Sequence, residues 1–128
     1  MVVLDASALL AFLFAESGHE LVAEAIGSCC LSTVNLAEVM SRFVRDGHSP
    51  VIVYRQLATS GIEIVSFGGE DAALVASLVP PTQHLGLGLG DRACLALALR
   101  RDIPVLTADQ AWGKLNLPIA IRLIRPGW

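Results

Sequence analysis

Apolar positions along the chain switch between short unbroken runs and stripes spaced three and four apart, which predicts strands and helices in alternation. Residues 2–4 form an apolar run that ends at Asp5, and residues 7–15 continue as a buried helix. A second helix is predicted over 19–26 after Gly18, with Leu21, Val22, Ala25 and Ile26 at helical spacing, and then a short strand over 29–31. Residues 33–45 give the clearest amphipathic pattern: Leu36, Val39, Met40, Phe43 and Val44 fall on one face, with Asn35, Glu38, Arg42 and Arg45 opposite. Gly47 ends that helix, and Pro50 starts another that runs to about Thr59 and is stopped by Gly61. A strand over 62–65 and a helix over 70–79 follow, the helix closed by Pro80 and Pro81. The glycine-rich segment 82–90 reads as a mobile loop. Beyond it lie a helix over 91–100, a strand over 103–106, a short helix over 110–115 and a last strand over 119–124. Apolar strands alternating with helices predict an α/β fold, a central parallel β-sheet sandwiched between helices. There is no internal repeat and no low-complexity segment.

Length and composition narrow this further. At 128 residues the chain fits one domain over 1–128. It is 54% apolar and only 16% charged, against about 25% charged in an average soluble domain, which predicts apolar surface that meets a partner. Asp5 and Glu16 bracket the longest apolar stretch, too short for a membrane span, and the acidic turn at Asp5 is unlike a secretory signal. A cytoplasmic protein is the expectation. Cys29, Cys30 and Cys94 have no spacing that suggests zinc or redox chemistry and read as reduced core residues. The net charge of −3 argues against nucleic-acid binding by bulk electrostatics, but four of the 12 acidic residues belong to a proposed cluster. Without them eight acidic residues face nine Lys and Arg, so the remaining surface is close to neutral.

The four are Asp5, Glu38, Asp91 and Asp109, and each also has a plain structural reading. Asp5 and Asp109 stand at strand ends, where an open parallel sheet binds its ligands, yet either can cap the helix that follows. Asn35 and Glu38 have capping-box spacing, and Glu38 can pair with Arg42 at i, i+4. At 100° per residue Asp91 shares the side of Cys94, Leu95 and Ala98, although a capping role is open to it too. All four lie at transitions into helices, in a chain with few charges. An all-oxygen donor set, with no His or Cys near it, points to a hard cation, Mg²⁺ or Mn²⁺. Such a cation would relieve the mutual repulsion of the carboxylates and activate a water against a phosphodiester.

Four blocks in order, Val-Leu-Asp5-Ala-Ser7-Ala-Leu, Ser-Thr33-Val-Asn35-Leu-Ala-Glu38-Val, Leu-Gly-Leu-Gly-Asp91-Arg-Ala-Cys94-Leu-Ala and Val-Leu-Thr107-Ala-Asp109, resemble PIN-domain proteins, specifically VapC-type toxins. The resemblance covers nearly the whole chain. It implies a Mg²⁺- or Mn²⁺-dependent endoribonuclease that cleaves tRNA or ribosomal RNA, is inhibited by a VapB-like antitoxin, and forms a homodimer. Asp5, Glu38, Asp91 and Asp109 match the family's acidic positions, and Ser7, Asn35 and Thr107 match polar residues that support the site. Gln110 departs from a position where an extra carboxylate could stand, leaving Asp109 alone at that corner. Arg42, Arg45 and Arg92 are the candidates for RNA contact, and each also reads as part of a solvated helix face. His19, His48 and His84 receive no catalytic role, and Trp112 reads as packing. A phosphoacceptor signalling domain would need an acidic pair after the first strand, but Ala6 follows Asp5. A partner-binding module that has lost catalysis is a third reading, disfavoured by the retained carboxylates.

Overall fold

Val2, Val3 and Leu4 are all buried in the computed structural model, which describes residues 1–126. Successive strand residues face opposite sides of a sheet, so an unbroken apolar triplet requires cover on both faces. That strand, β1 (Val2–Leu4), is the centre of a five-stranded sheet. It pairs with β2 (Cys29–Ser32) on one side and β4 (Val105–Thr107) on the other. The edges are β3 (Glu63–Val65), beyond β2, and β5 (Ile121–Leu123), beyond β4, and every pairing is parallel.

Two apolar layers follow from the alternation. Val2, Leu4, Cys29, Leu31 and Leu106 face a layer built from α1 (Ala6–Leu13), α2 (His19–Ala25), α3 (Thr33–Arg45) and α4 (Pro50–Ala58). Val3, Cys30 and Val105 face the opposite layer, which holds α5 (Gly69–Ser77), α6 (Val79–Thr82) near its edge, α7 (Leu89–Arg101) and the fully buried Trp112. Residues Ala93 to Ala98 of α7 are all buried, so this helix has no wide solvent face. The chain winds from β1 through β2 to β3, then crosses to β4 and β5 on the far side of β1. Its winding therefore reverses between β1 and β4, which in open parallel sheets sets the binding crevice beyond the carboxyl ends of those strands.

Several boundaries differ from the sequence expectation. The helix before Pro80 and Pro81 does end, at Ser77, but the two prolines also stand in the first turn of a new helix, α6, where the missing N–H groups have no intrahelical partner to lose. The segment 82–90, expected as a loop, is partly ordered structure. Thr82 is buried and its hydroxyl donates to the Leu78 carbonyl at 2.6 Å, Gln83–Leu85 form a 3₁₀ turn, and α7 already begins at Leu89. The expected helix after Asp109 is a 3₁₀ turn, Gln110–Lys114. Val44, placed on the apolar face of α3, is instead exposed and borders a shallow apolar groove with Met40 and Pro50, because α3 packs into the core through Leu36, Val39 and Phe43 and leaves Val44 at the margin of that face. Among the described residues no helix is long and apolar enough to cross a membrane.

The entry to α2 gives a test of this packing. Gly18 has φ +93, and a Cβ there would lie 2.3 Å from the Ile124 carbonyl oxygen, a backbone atom that cannot turn aside. Gly18→Ala should therefore lose roughly 2 kcal/mol or more of stability in urea unfolding. Gly27→Ala, with open space around it and no positive φ, should change stability by no more than about 0.5 kcal/mol. Equal effects would contradict the packing of α2 against the last strand.

Candidate functional site

Asp5 is the first residue past β1 and the N-cap of α1, its Oδ1 accepting the Ala8 N–H at 2.8 Å. Its Oδ2 accepts the hydroxyl of Thr107, the last residue of β4, at 2.6 Å. The Ser7 hydroxyl lies 2.8 and 2.9 Å from the two carboxylate oxygens. Thr107 Oγ1 also accepts the Asp109 N–H, and Ser7 Oγ accepts the Ala108 N–H, both at 3.0 Å. Two hydroxyls thus stitch the ends of the two central strands around one carboxylate. Asp5 is only 3% exposed, and burial pushes its carboxyl up to about 6 despite the hydrogen bonds from Thr107, Ala8 and Ser7. The negative charge of Asp91 adds to that rise.

Asp91 is half-buried in the first turn of α7, and its Oδ2 accepts the Gly88 N–H at 2.9 Å. Burial raises its carboxyl above the ordinary range, the Gly88 bond opposes this, and the charge of Asp109 raises it further. Asp109 is the N-cap of its 3₁₀ turn, with Oδ1 accepting the Ala111 N–H at 3.0 Å. All three aspartates therefore do serve as caps. The angular count that set Asp91 on an apolar stripe has little force, since α7 is buried on nearly every side. Capping leaves Oδ1 of Asp91 and Oδ2 of Asp109 without a protein hydrogen bond among the described residues.

Glu38 reaches the same crevice from α3, by a route the spacing did not show. Ser32, not Asn35, caps α3, accepting the Val34 N–H at 3.2 Å. Asn35 is not on a solvated face: it is 1% exposed, and its amide donates to Glu38 Oε1 at 2.8 Å and to the Gly90 carbonyl at 3.0 Å. The expected Glu38–Arg42 pair is absent from the described residues; Arg42 lies over the Phe14 ring and pairs with Asp46 at 3.5 Å. Cys94 lies fully buried beneath the site. Burial pushes its thiol well up, and the charges of Asp5, Asp91 and Glu38 add to that rise, so all three carboxylates lie within electrostatic reach of it.

The expected arginines do not line this crevice together. Arg45 is exposed beside the α3–α4 groove, away from the carboxylates. Arg92 adjoins Asp91, but its Nη1 donates to the Leu87 carbonyl at 2.7 Å and braces the glycine-rich turn. The sequence reading passed over Gly90: a Cβ there would lie 2.3 Å from Glu38 Oε1, so the carboxylate occupies the space that glycine leaves. Its spacing one residue before Asp91 was the only available signal.

Among the described residues no three His, Cys, Asp or Glu side chains stand close enough to cage a metal unaided. The donor set still fits Mg²⁺ or Mn²⁺, because such ions take one or two carboxylates and keep waters for the remaining positions. Mutual charge repulsion among Asp5, Asp91 and Asp109, two of them already held above their ordinary range, is what a cation would relieve.

In comparison with known proteins, the family model described as PIN domain matches residues 2–116. No curated protein sequence matches. Solved structures do: a toxin–antitoxin complex from Klebsiella pneumoniae has a TM-score of 0.71 at 18% identity, covering 94% of this chain and 100% of that one. DNA-bound VapBC from Salmonella typhimurium has a TM-score of 0.71 at 16% identity, covering 98% and 100%. FitAcB from Neisseria gonorrhoeae has a TM-score of 0.70 at 18% identity, covering 97% and 98%. At such identities the likeness concerns the fold.

Asp5 carries a pH dependence with a definite sign. Its folded pKa of about 6 lies above the ordinary 3.8, so the folded protein holds a proton that the unfolded chain releases. In metal-free protein the associated stability is fully present below about pH 4 and is lost as pH rises through 6, about 3 kcal/mol in all. Asp5→Asn should flatten that loss and raise Tm by several degrees at pH 7.5. Chemical unfolding across pH 4–8 checks this, and an unchanged pH profile in Asp5→Asn would refute the assignment to Asp5.

Proposed function

The chain belongs to the PIN-domain family, and from that membership we propose that it is a Mg²⁺- or Mn²⁺-dependent endoribonuclease, the toxin of a type II toxin–antitoxin pair. The observation that carries this reading is the placing of Asp5 and Asp109 at the ends of the two central strands, where the sheet's winding reverses, with Asp91 coupled to both by charge and Glu38 tied through Asn35 to the first turn of α7. Asp5, Glu38, Asp91 and Asp109 would hold the cation, one or two of them directly and the others through its waters. When bound, it supplies positive charge for the phosphodiester and an activated water. Ser7 and Thr107 orient Asp5, and Asp5 is kept dry enough for its charge to be felt strongly. Cleavage by water in this way leaves a 5′-phosphate and a 3′-hydroxyl on cellular RNA, with tRNA or ribosomal RNA as the substrate class.

Partner binding is supported separately. Val44, Val51, Ile52 and Tyr54 leave apolar surface exposed on α3 and α4, and Leu13 and Phe14 do so at the end of α1. Surface of this kind suits a homodimer and a VapB-like antitoxin that keeps the toxin inactive in the cytoplasm. Of the solved structures described above, that from Klebsiella pneumoniae is a toxin–antitoxin complex and that from Salmonella typhimurium is VapBC, which supports an antitoxin partner. Among the candidates for RNA contact, Arg92 adjoins the crevice, and Arg42 and Arg45 lie farther along α3.

Purified protein should cut RNA with Mg²⁺ or Mn²⁺ and not with a chelator present. Asp5→Asn and Asp91→Asn should each reduce cutting to roughly a hundredth or less while the fold persists. End-group analysis of the products checks the chemistry: a 2′,3′-cyclic phosphate would contradict attack by water.

A further inference from the structure

Asn35 lies in the first turn of α3, and both hydrogens of its amide are used: one goes to Glu38 on its own helix, the other to Gly90 on α7. Those partners fix which way the group points, because turned over it would set its oxygen against a carboxylate and a carbonyl. The orientation leaves Oδ1 buried with no hydrogen-bond partner. A buried acceptor without a donor destabilises a fold, and an apolar side chain of the same size would avoid it. Gly90 meets the same demand from the other side, since any Cβ there would run into the Glu38 carboxylate. Two residues on different elements are thus shaped around one carboxylate, at a cost in stability that packing alone does not explain.

We propose that Asn35 is the positioning residue of the site, its single amide tying the Glu38 carboxylate to the first turn of α7. Glu38 is thereby held beside Gly90, in the turn of α7 that carries Asp91, before any cation arrives. Without that tie Glu38 projects from an exposed position of α3, free to change rotamer, and has to be ordered when a cation binds. The inference rests on the reading of the crevice as a cation site.

Asn35→Leu and Asn35→Asp are close to Asn in size, and the second keeps its shape while replacing the donor by an acceptor. In metal-free wild-type protein both Asn35 amide protons should exchange slowly in ¹⁵N NMR spectra, and Glu38→Ala should release one of them. By calorimetry both Asn35 variants should bind Mn²⁺ about tenfold or more weakly than wild type, with Tm of Asn35→Leu no lower. RNA cutting should fall in the same ratio at limiting Mn²⁺ and recover towards the wild-type rate at saturating Mn²⁺, which a purely structural defect would not do. A folded Asn35→Leu with wild-type Mn²⁺ affinity, or freely exchanging Asn35 protons, overturns the proposal. If Asn35→Leu does not fold, Asn35→Asp decides by the same criterion. Wild-type protein that binds Mn²⁺ but cuts no RNA sinks the nuclease reading and leaves the affinity comparison intact; wild type that binds no Mn²⁺ overturns both.

Discussion

Keeping the Asp5 carboxylate out of water at the end of the central strand is the constraint on which the rest of the architecture depends. Its place beyond β1, at 3% exposure, disfavours its charge, and the surroundings only partly compensate. The compensation comes from three directions: the first turn of α1, through Ala8; Ser7; and the neighbouring strand, through Thr107. That last contact requires β4 to lie beside β1 and in register, as it does with Val3 opposite Val105 and Leu4 opposite Leu106. Sheet order and site are therefore one arrangement, and the reversal of winding between β1 and β4 places the crevice where a ligand meets the ends of both strands.

Capping and site-building are compatible roles for a carboxylate. An N-cap places a carboxylate at a helix start, satisfies one N–H, and leaves acceptor positions pointing elsewhere. Asp5 and Asp109 each take a backbone N–H in this way, and Asp91, in the first turn of α7, takes the N–H of the N-cap Gly88. The helix starts hold the carboxylates rigidly, with partial positive charge from the backbone offsetting some of their repulsion. Glu38 is held differently, across elements, by an amide and by the absence of a side chain at Gly90.

Much of the fold was legible because its signals are local. The helix over 33–45 has the same limits in pattern and structure, since its apolar spacing is sustained and Ser32 caps it. Asp5 and Asp109 could be placed from strand ends alone. Asn35 was reached only through the family resemblance, because a polar residue on the face opposite Leu36 and Val39 looks solvated unless one knows that α7 packs there. The same applies to α7, whose near-complete burial comes from α5, α3 and the sheet surrounding it, not from any stripe in its own sequence. Pro80 and Pro81 told half of the local story: the helix before them stops at Ser77, as a proline pair predicts, yet the pair is equally at home in the first turn of a new helix. The Glu38–Arg42 spacing was sound as a helical pair but lost to Phe14 and Asp46 on one side and Asn35 on the other.

The central claim is that Asp5 is a buried carboxylate whose charge a cation would complete. Titration of the Asp5 carboxyl carbon by NMR, with and without saturating Mg²⁺, tests it most directly. The account predicts a midpoint near 6 in the metal-free protein and a fall of more than about one unit when Mg²⁺ is present. A midpoint that stays at the same value in both conditions would contradict it.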